Sequence, residues 1–128
     1  MYVFKIVTIN VNGIRSPVTQ TLLKKFLFDN DIDVVLLQEI NDDNLDSMFP
    51  QYKYVVNLGE SNRGTAIVYR AHLSVSNIDM SSCGRITALT TNNIRLINVY
   101  APSGSQKKED RNLLFCEDIL FYLRKLLY

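Results

Sequence analysis

The chain has 128 residues, of which 47% are hydrophobic and 21% are charged, and its formal net charge is +1. This composition excludes a disordered or low-complexity chain and predicts one globular domain with a core of its own. The small net charge excludes a whole-molecule attraction to nucleic acid or to an anionic membrane, so any contact with a polyanion must be local.

The chain carries two cysteines, Cys83 and Cys116, and its first residues show no signal-peptide pattern. We therefore expect reduced thiols in an intracellular protein, nuclear or cytoplasmic, rather than the disulfide framework of a secreted one. Charged residues interrupt the apolar runs well short of the ~20 residues that a bilayer span needs. A soluble protein without membrane contact is expected.

The opening of the chain predicts a strand, a helix and a second strand. Residues 2 to 10 mix β-branched and aromatic types with short alternation, as a strand does. Ser16 and Pro17 fit a helix N-cap and a first helical position, and Asp29 and Asn30 end the apolar pattern that follows. That pattern recurs at three- and four-residue spacing, at Val18, Leu22, Leu23, Phe26 and Leu27. Residues 32 to 39 form a compact apolar run, typical of a parallel-sheet strand covered on both faces.

The rest of the chain predicts shorter, antiparallel strands and a closing helix. Asn92 and Asn93 suit a tight hairpin turn, because asparagine tolerates positive φ. A helix is expected over residues 107 to 127, with apolar side chains around most of its circumference. Since the chain stops within this apolar helix, we expect something further to cover it. The strands are expected over residues 52 to 56, 64 to 70, 73 to 78, 85 to 91 and 94 to 101.

Three polar residues stand near the carboxyl ends of predicted strands: Asn10, Glu39 and Tyr100. Side chains at such ends converge on ligand sites in α/β sheets, which favours a common site. Taken singly, each residue also fits a structural role, as a turn former, a solvated strand end and a rim aromatic respectively. The residues alone leave both interpretations open.

Four motifs, in this order, resemble the endonuclease/exonuclease/phosphatase superfamily, which includes exonuclease III, the apurinic/apyrimidinic endonucleases and DNase I. They are TINVNGIRS at 8 to 16, VVLLQE at 34 to 39, RGTAIVYR at 63 to 70 and INVYAPSG at 97 to 104. The chain looks most like the endonuclease domain of LINE-type non-LTR retrotransposon proteins, in which N-x-N-G and N-x-Y-A-P are typical. The resemblance implies the amino-terminal half of a DNase I-like, four-layered α/β sandwich, with mixed, mostly antiparallel sheets and flanking helices.

The same resemblance implies a metal-dependent catalytic site at Asn10, Glu39 and Tyr100. Glu39 would bind a divalent metal together with Asn10, which orders the site, and Tyr100 would hydrogen-bond the scissile phosphate. Mg²⁺ is expected, with Mn²⁺ as the alternative, because hard cations take oxygen ligands and one carboxylate with phosphate oxygens can suffice. The expected DNA contacts are Asn12, Arg15, Arg63 and Ser103, the last at a position where the family often has asparagine.

Two family motifs are absent after Tyr100: an Asp-x-Asn, whose aspartate activates the attacking water, and a terminal Ser-Asp-His. The aspartates beyond Tyr100 are Asp110 and Asp118, both in the predicted last helix. The single histidine, His72, lies earlier and is expected at the surface. The resemblance thus implies a partial domain over residues 1 to 128, without its carboxy-terminal half or a covering partner chain.

Three functions remain open at this point. The first is Mg²⁺-dependent DNA nicking by a retrotransposon-type endonuclease of which this chain is an inactive fragment. The second is a non-catalytic relic or half-domain that binds nucleic acid or a partner. The third is a phosphomonoesterase of the same fold.

Overall fold

The structure is a computed structural model, and it describes residues 3–46, 48–59 and 63–101 together with residues 122, 124 and 125. The strands and the first helix expected from the sequence are all present. Their bounds are β1 (Ile6–Asn10), α1 (Pro17–Asp29), β2 (Val34–Ile40), β3 (Tyr52–Asn57), β4 (Gly64–Arg70), β5 (Val75–Met80), β6 (Ile86–Thr91) and β7 (Ile94–Val99).

The helix expected over residues 107 to 127 lies almost entirely outside the described residues. Ser103 and Cys116 also lie outside them. Residues 122, 124 and 125 are described, and they are helical. Cys83 carries a free thiol. In the described part of the chain, no helix combines the length and the apolar character that a membrane crossing requires.

The strands form two sheets. The first has the order β1-β2-β4-β3, and the second has the order β5-β6-β7. β1 and β2 are parallel, because helix α1 provides the crossover between them, while the other neighbouring strands are antiparallel. β2 therefore lies in a mixed sheet, parallel to β1 and antiparallel to β4, in agreement with the mixed, mostly antiparallel sheets expected from the sequence.

The first sheet lies between α1 and the second sheet. Alternate residues of β2 pack against α1 on one face of the sheet and against the second sheet on the other. Val35 and Leu37 belong to a core that includes Leu23 and Leu27 of α1. Val34 belongs to a second core, which includes residues from the three-stranded sheet. This double burial explains why β2 is a nearly continuous apolar run.

Helix α1 buries a narrower face than its sequence predicts. Leu23 and Leu27 are buried, whereas the other predicted apolar positions, Val18, Leu22 and Phe26, are exposed at 67%, 62% and 41%. The two sets project from different sides of a helix with 3.6 residues per turn, and only one side meets the sheet. The helix begins as predicted, with Pro17 following Ser16 at the N-cap, although the Ser16 side chain makes no capping hydrogen bond.

A buried amide joins the two sheets near the carboxyl end of β2. Asn98 in β7 is 1% exposed. Its Nδ2 donates to the carbonyl oxygens of Leu37 and Ala66, each at 2.9 Å. Its Oδ1 accepts a hydrogen bond from Nε2 of Gln38 at 2.8 Å. A buried amide is stable only when it is partnered, so these bonds fix where β7 meets the first sheet, and with it the position of the residues that follow.

Candidate active site

The end of β1 forms a turn that folds back onto the end of β2. Asn10 is paired with Gln38 in the parallel register, which places the two strand ends side by side. The Oδ1 of Asn10 accepts a hydrogen bond from the backbone N–H of Asn12 at 3.0 Å. Asn12 and Gly13 take positive φ values of 48° and 90°. The chain then turns so that the N–H of Gly13 donates to the carbonyl oxygen of Glu39 at 2.8 Å.

Glu39 occupies an irregular point in the sheet. The pairing of β2 with β4 shifts between Gln38 and Ile40, and Glu39 between them has a φ of 58°. A left-handed conformation is unfavourable for a residue with a side chain, and it persists where surrounding contacts hold it. Such bulges re-aim a side chain relative to the regular alternation of a strand. The side chain of Glu39 therefore does not follow the regular alternation of the apolar side chains earlier in β2.

The carboxylate of Glu39 is the centre of a small polar network. Tyr100, directly after β7, donates its hydroxyl to Oε1 of Glu39 at 2.8 Å. Nη1 of Arg63 lies 3.5 Å from Oε2 of the same carboxylate. The same Nη1 also donates to Oδ1 of Asn12 at 3.3 Å. The structure therefore brings together Glu39, Tyr100, Arg63 and Asn12, and Asn10 joins them through its hydrogen bond to Asn12.

The remaining sequence-predicted residues are placed differently. Arg15 lies with its Nε 3.8 Å from Oδ2 of Asp42, and its side chain is 64% exposed. Ser103 lies outside the described residues. His72 is exposed in the turn between β4 and β5, in agreement with the surface position expected for it.

Arg85, directly before β6, also lies beside Tyr100 and was not predicted from the sequence. The carbonyl oxygen of Arg85 accepts a hydrogen bond from the N–H of Tyr100 at 2.8 Å. Its guanidinium carbon lies 5.3 Å from the centre of the Tyr100 ring. A signal for this contact exists in the sequence, because counting outward from the Asn92-Asn93 hairpin places Arg85 opposite Tyr100, and the register of β6 with β7 agrees.

The surroundings of Tyr100 keep its hydroxyl protonated. Burial raises the pKa of the phenol, and the hydrogen bond to Glu39 and the negative charge of Glu39 raise it further. The positive charges of Arg85 and Arg63 act in the opposite direction without reversing the shift. Tyr100 is therefore a neutral hydrogen-bond donor at neutral pH.

The donor set suits a hard cation that keeps much of its own hydration. The described residues contain no group of three or more histidine, cysteine, aspartate or glutamate side chains that could form an all-protein metal cage. The side chain of Glu39 is 19% exposed, and the residue lies next to the turn that holds the amide of Asn10. One carboxylate with an amide oxygen fits Mg²⁺, which is typically bound by one or two carboxylates together with waters and substrate phosphates.

Comparisons with known proteins agree with this architecture. The sequence matches the family model described as Endonuclease/Exonuclease/phosphatase family over residues 7–116. No curated protein sequence matches the chain.

The fold is similar to that of several solved structures. An AP endonuclease from Archaeoglobus fulgidus gives a TM-score of 0.78 at 24% identity, covering 96% of this chain and 52% of that one. AP endonuclease LMAP from Leishmania major gives 0.71 at 19% identity, covering 96% and 48%. Truncated Caenorhabditis elegans TDP2 gives 0.60 at 19% identity, covering 88% and 51%. The DNase I-like α/β fold is therefore confirmed, and the chain spans about half the length of these structures.

Proposed function

Because the chain belongs to the endonuclease/exonuclease/phosphatase family, we propose that it supplies the amino-terminal half of a Mg²⁺-dependent endonuclease that nicks DNA. The observation that carries this proposal is the hydrogen bond between Tyr100 and Glu39, which joins a neutral donor to a half-buried carboxylate across two sheets. Residues 61 positions apart meet at this point, together with Arg63 and the Asn12 turn. Such convergence at strand ends is typical of a ligand site.

Each residue has a role in this proposal. Glu39 and Asn10 would hold the cation, and a bound divalent cation would supply Lewis-acid stabilisation of negative charge on the phosphate. When substrate binds, Tyr100 would turn its single hydroxyl hydrogen from Glu39 to a phosphate oxygen, without changing its own charge. Arg63 and Asn12 contact the DNA backbone beside it, and Asn10 keeps the turn in place through an amide that does not titrate at any physiological pH.

The retrotransposon origin of this endonuclease is part of the proposal. It is supported by the N-x-N-G motif at Asn10 and by the N-x-Y-A-P motif that begins at Asn98. Sequencing the transcript beyond codon 128 tests whether the chain is half of such an enzyme. A frame that continues into Asp-x-Asn and Ser-Asp-His motifs supports a half-enzyme, whereas a stop codon directly after Tyr128 contradicts one.

A nicking assay tests the catalytic proposal directly. The protein encoded by the full reading frame should convert supercoiled plasmid to the open circle in Mg²⁺ and not in EDTA. Glu39→Gln should reduce the rate about a hundredfold or more, because the variant loses the carboxylate that binds the cation. Asp42→Asn is the matched control, since Asp42 is a nearby carboxylate that pairs with Arg15 outside the network. Nicking by Glu39→Gln at the wild-type rate would contradict the proposal.

Metal binding can be measured on the 128-residue chain alone. We expect Mn²⁺ affinity, followed by electron paramagnetic resonance, to fall in Glu39→Gln and to stay unchanged in Asp42→Asn. Equal Mn²⁺ affinity in the wild-type chain and in Glu39→Gln would contradict the assignment of Glu39 as a metal ligand, whatever the nicking assay shows.

A second candidate function is non-catalytic binding of nucleic acid by the 128 residues as they stand. It is favoured by the sequence after Tyr100, which lacks histidine and carries aspartate only at Asp110 and Asp118. The chain should then bind DNA weakly, because its net charge is only +1. Added salt should weaken this binding further, because the contacts are made to phosphates. Cleavage by the purified 128-residue chain, lost in Glu39→Gln, would refute this alternative.

A further inference from the structure

Three polar side chains, one in each of β1, β2 and β7, stand just before residues of the candidate site. They are Thr8, two residues before Asn10, Gln38, directly before Glu39, and Asn98, two residues before Tyr100. Hydrogen bonds join the three side chains to one another, so that they form one polar layer across three strands of the two sheets. The end of each of these strands is therefore tied to the ends of the others.

The side-chain amide of Gln38 is the centre of the polar layer. Its Nε2 donates to Oγ1 of Thr8 and to Oδ1 of Asn98, both at 2.8 Å. A longer contact of 3.2 Å joins the same Nε2 to the carbonyl oxygen of Leu36. An amide nitrogen carries two hydrogens, so the two short bonds use both of them. Gln38 thus holds β1 on one side and β7 on the other.

The main chain settles the orientation of both amides in the layer. Nδ2 of Asn98 donates to the carbonyl oxygens of Leu37 and Ala66, each at 2.9 Å. Because carbonyl oxygens only accept hydrogen bonds, the nitrogen of Asn98 must face them and its oxygen must face Gln38. Gln38 must then present an N–H to that oxygen. A methionine at position 38 could fill a similar volume, but it has no N–H to donate.

The bulge in β2 brings Glu39 to the same strand as Gln38. Side chains alternate along a regular strand, so Glu39 would share a face with Leu37, which packs in the core against α1. The shifted pairing and the left-handed backbone of Glu39 break this alternation, and its carboxylate accepts a hydrogen bond from Tyr100. Two consecutive residues of β2 therefore bond to the β7 segment, Gln38 to Asn98 and Glu39 to Tyr100.

We infer that Gln38 is a positioning residue of the proposed endonuclease, whose amide sets the separation of the ends of β1, β2 and β7 and thereby places Glu39 against Tyr100. This inference rests on the proposed function, because the residues that Gln38 places are those assigned to the cation and to the phosphate. Gln38 itself binds neither of them. It acts through its bonds to Thr8 and Asn98.

The first measurement tests the placement without metal, DNA or cleavage. In the 128-residue chain, a nuclear Overhauser effect between the ring protons of Tyr100 and the side-chain protons of Glu39 reports that the two groups lie together. We expect this effect in the wild-type chain. Gln38→Met should weaken or abolish it, because the variant nearly conserves the side-chain volume and loses both hydrogen bonds.

The second measurement tests the consequence for nicking by the protein encoded by the full reading frame. Gln38→Met should lower kcat about tenfold or more and change KM for the plasmid less than about twofold, because misplaced site residues slow the reaction without removing a DNA contact. Thr8→Val removes one of the two acceptors and should lower kcat less. The double variant should be no slower than Gln38→Met alone, because the bond between these residues cannot be lost twice.

Thr91→Val is the matched control for a buried polar bond elsewhere in the two sheets. Thr91 is 2% exposed, and its hydroxyl donates to the carbonyl oxygen of Ser74 at 2.9 Å. It lies at the end of β6 that pairs with the start of β7, away from Tyr100. Its loss should lower the Tm and leave the Overhauser effect, kcat and KM unchanged. A merely structural role for Gln38 would give the same result as this control.

Each remaining outcome decides the question. An Overhauser effect that is absent from the wild-type chain or unchanged in Gln38→Met would overturn the inference, as would a change in KM alone, which would make Gln38 a DNA contact. If Gln38→Met does not fold, Thr8→Val decides, and an unchanged Overhauser effect in that variant overturns the inference. Absence of nicking by the wild-type protein would refute the endonuclease proposal, while the Overhauser measurement still shows whether Gln38 places Glu39.

Discussion

Strand β2 carries an acid–arginine–tyrosine cluster at each end, and the two clusters differ in how completely their polar groups are paired. The first cluster contains Asp33, Arg70 and Tyr52. Asp33 is 3% exposed, and it accepts a hydrogen bond from the N–H of Lys5 at 2.8 Å while lying 3.5 Å from Nε of Arg70. Tyr52 donates its hydroxyl to the carbonyl oxygen of Ile32 at 2.6 Å.

The second cluster contains Glu39, Tyr100 and Arg85, with Arg63 at its side. It repeats the stacking of arginine on tyrosine at nearly the same distance, 5.3 Å against 5.4 Å. The side chain of its glutamate is partly exposed and the backbone of that residue is left-handed. Nη1 of its stacked arginine has no hydrogen-bond partner in the part of the chain that the structure describes. Residue types therefore do not distinguish the paired cluster from the proposed ligand site. The completeness of hydrogen bonding does.

The largest stability effect should come from the fully paired cluster. Asp33→Asn should lower the free energy of unfolding by about 3 kcal/mol, because it leaves Arg70 without its buried partner. Urea denaturation measures this change. Asp31→Asn is the control, since Asp31 pairs with the same arginine but is 82% exposed, and it should cost less than about 1 kcal/mol. Equal losses in the two variants would contradict the assignment of Asp33 as the structural partner.

The next largest loss of stability is expected at Asn98, which joins the two sheets near the carboxyl end of β2. Asn98→Leu should cost about 2 kcal/mol, because the buried carbonyls of Leu37 and Ala66 each lose a hydrogen-bond donor. The same urea titration measures it. Asn30→Ala removes an exposed amide that donates to the Phe26 carbonyl at 2.9 Å, and it should cost less than about 1 kcal/mol. An Asn98→Leu variant as stable as Asn30→Ala would show that the buried amide does not hold the sheets together.

A smaller stability effect is expected at the incompletely paired cluster. Glu39→Gln should change the free energy of unfolding by less than about 1 kcal/mol, because its ion pair with Arg63 is weak and half-exposed. The result should contrast with Asp33→Asn at the other end of the same strand. A loss as large as that of Asp33→Asn would make Glu39 a structural residue and would break the comparison.

The smallest effect concerns the response to alkaline pH. The pKa of Tyr100 is raised above its ordinary value of 10.0, chiefly by burial, so the folded chain holds this proton more tightly than the unfolded chain. Stability from this group is therefore present below pH 10.0 and is lost as the pH rises through the raised pKa. Tyr100→Phe should lose less stability than the wild type above pH 10.0, as measured by Tm against pH. An identical decline in both proteins would contradict this account.

Much of the fold follows from local signals in the sequence. The strands, the start of α1 at Pro17 and the Asn92-Asn93 hairpin depend on periodicity and turn chemistry, which act over a few residues. The meeting of Glu39 with Tyr100 was expected because both stand at strand ends. Their catalytic roles remain predictions.

The parts that the sequence did not predict depend on contacts between distant segments. The exposure of Val18, Leu22 and Phe26 depends on which side of α1 meets the sheet. The bridging by Asn98 depends on how the two sheets stack. The lack of a hydrogen-bond partner for Nη1 of Arg85 among the described residues depends on how the segments around it pack. Local patterns carry no information about such long-range pairing.

The bulge at Glu39 separates two kinds of structural constraint within one short strand. Before it, the alternation of β2 is set by two apolar cores, so substitutions there are limited by volume and hydrophobicity. At the bulge, the direction of the carboxylate follows from the shifted pairing and the left-handed backbone of Glu39, whose carbonyl oxygen accepts the hydrogen bond from Gly13. The strand can therefore exchange one aliphatic residue for another without redirecting the carboxylate, whereas a single-residue insertion or deletion in β2 would redirect it at once.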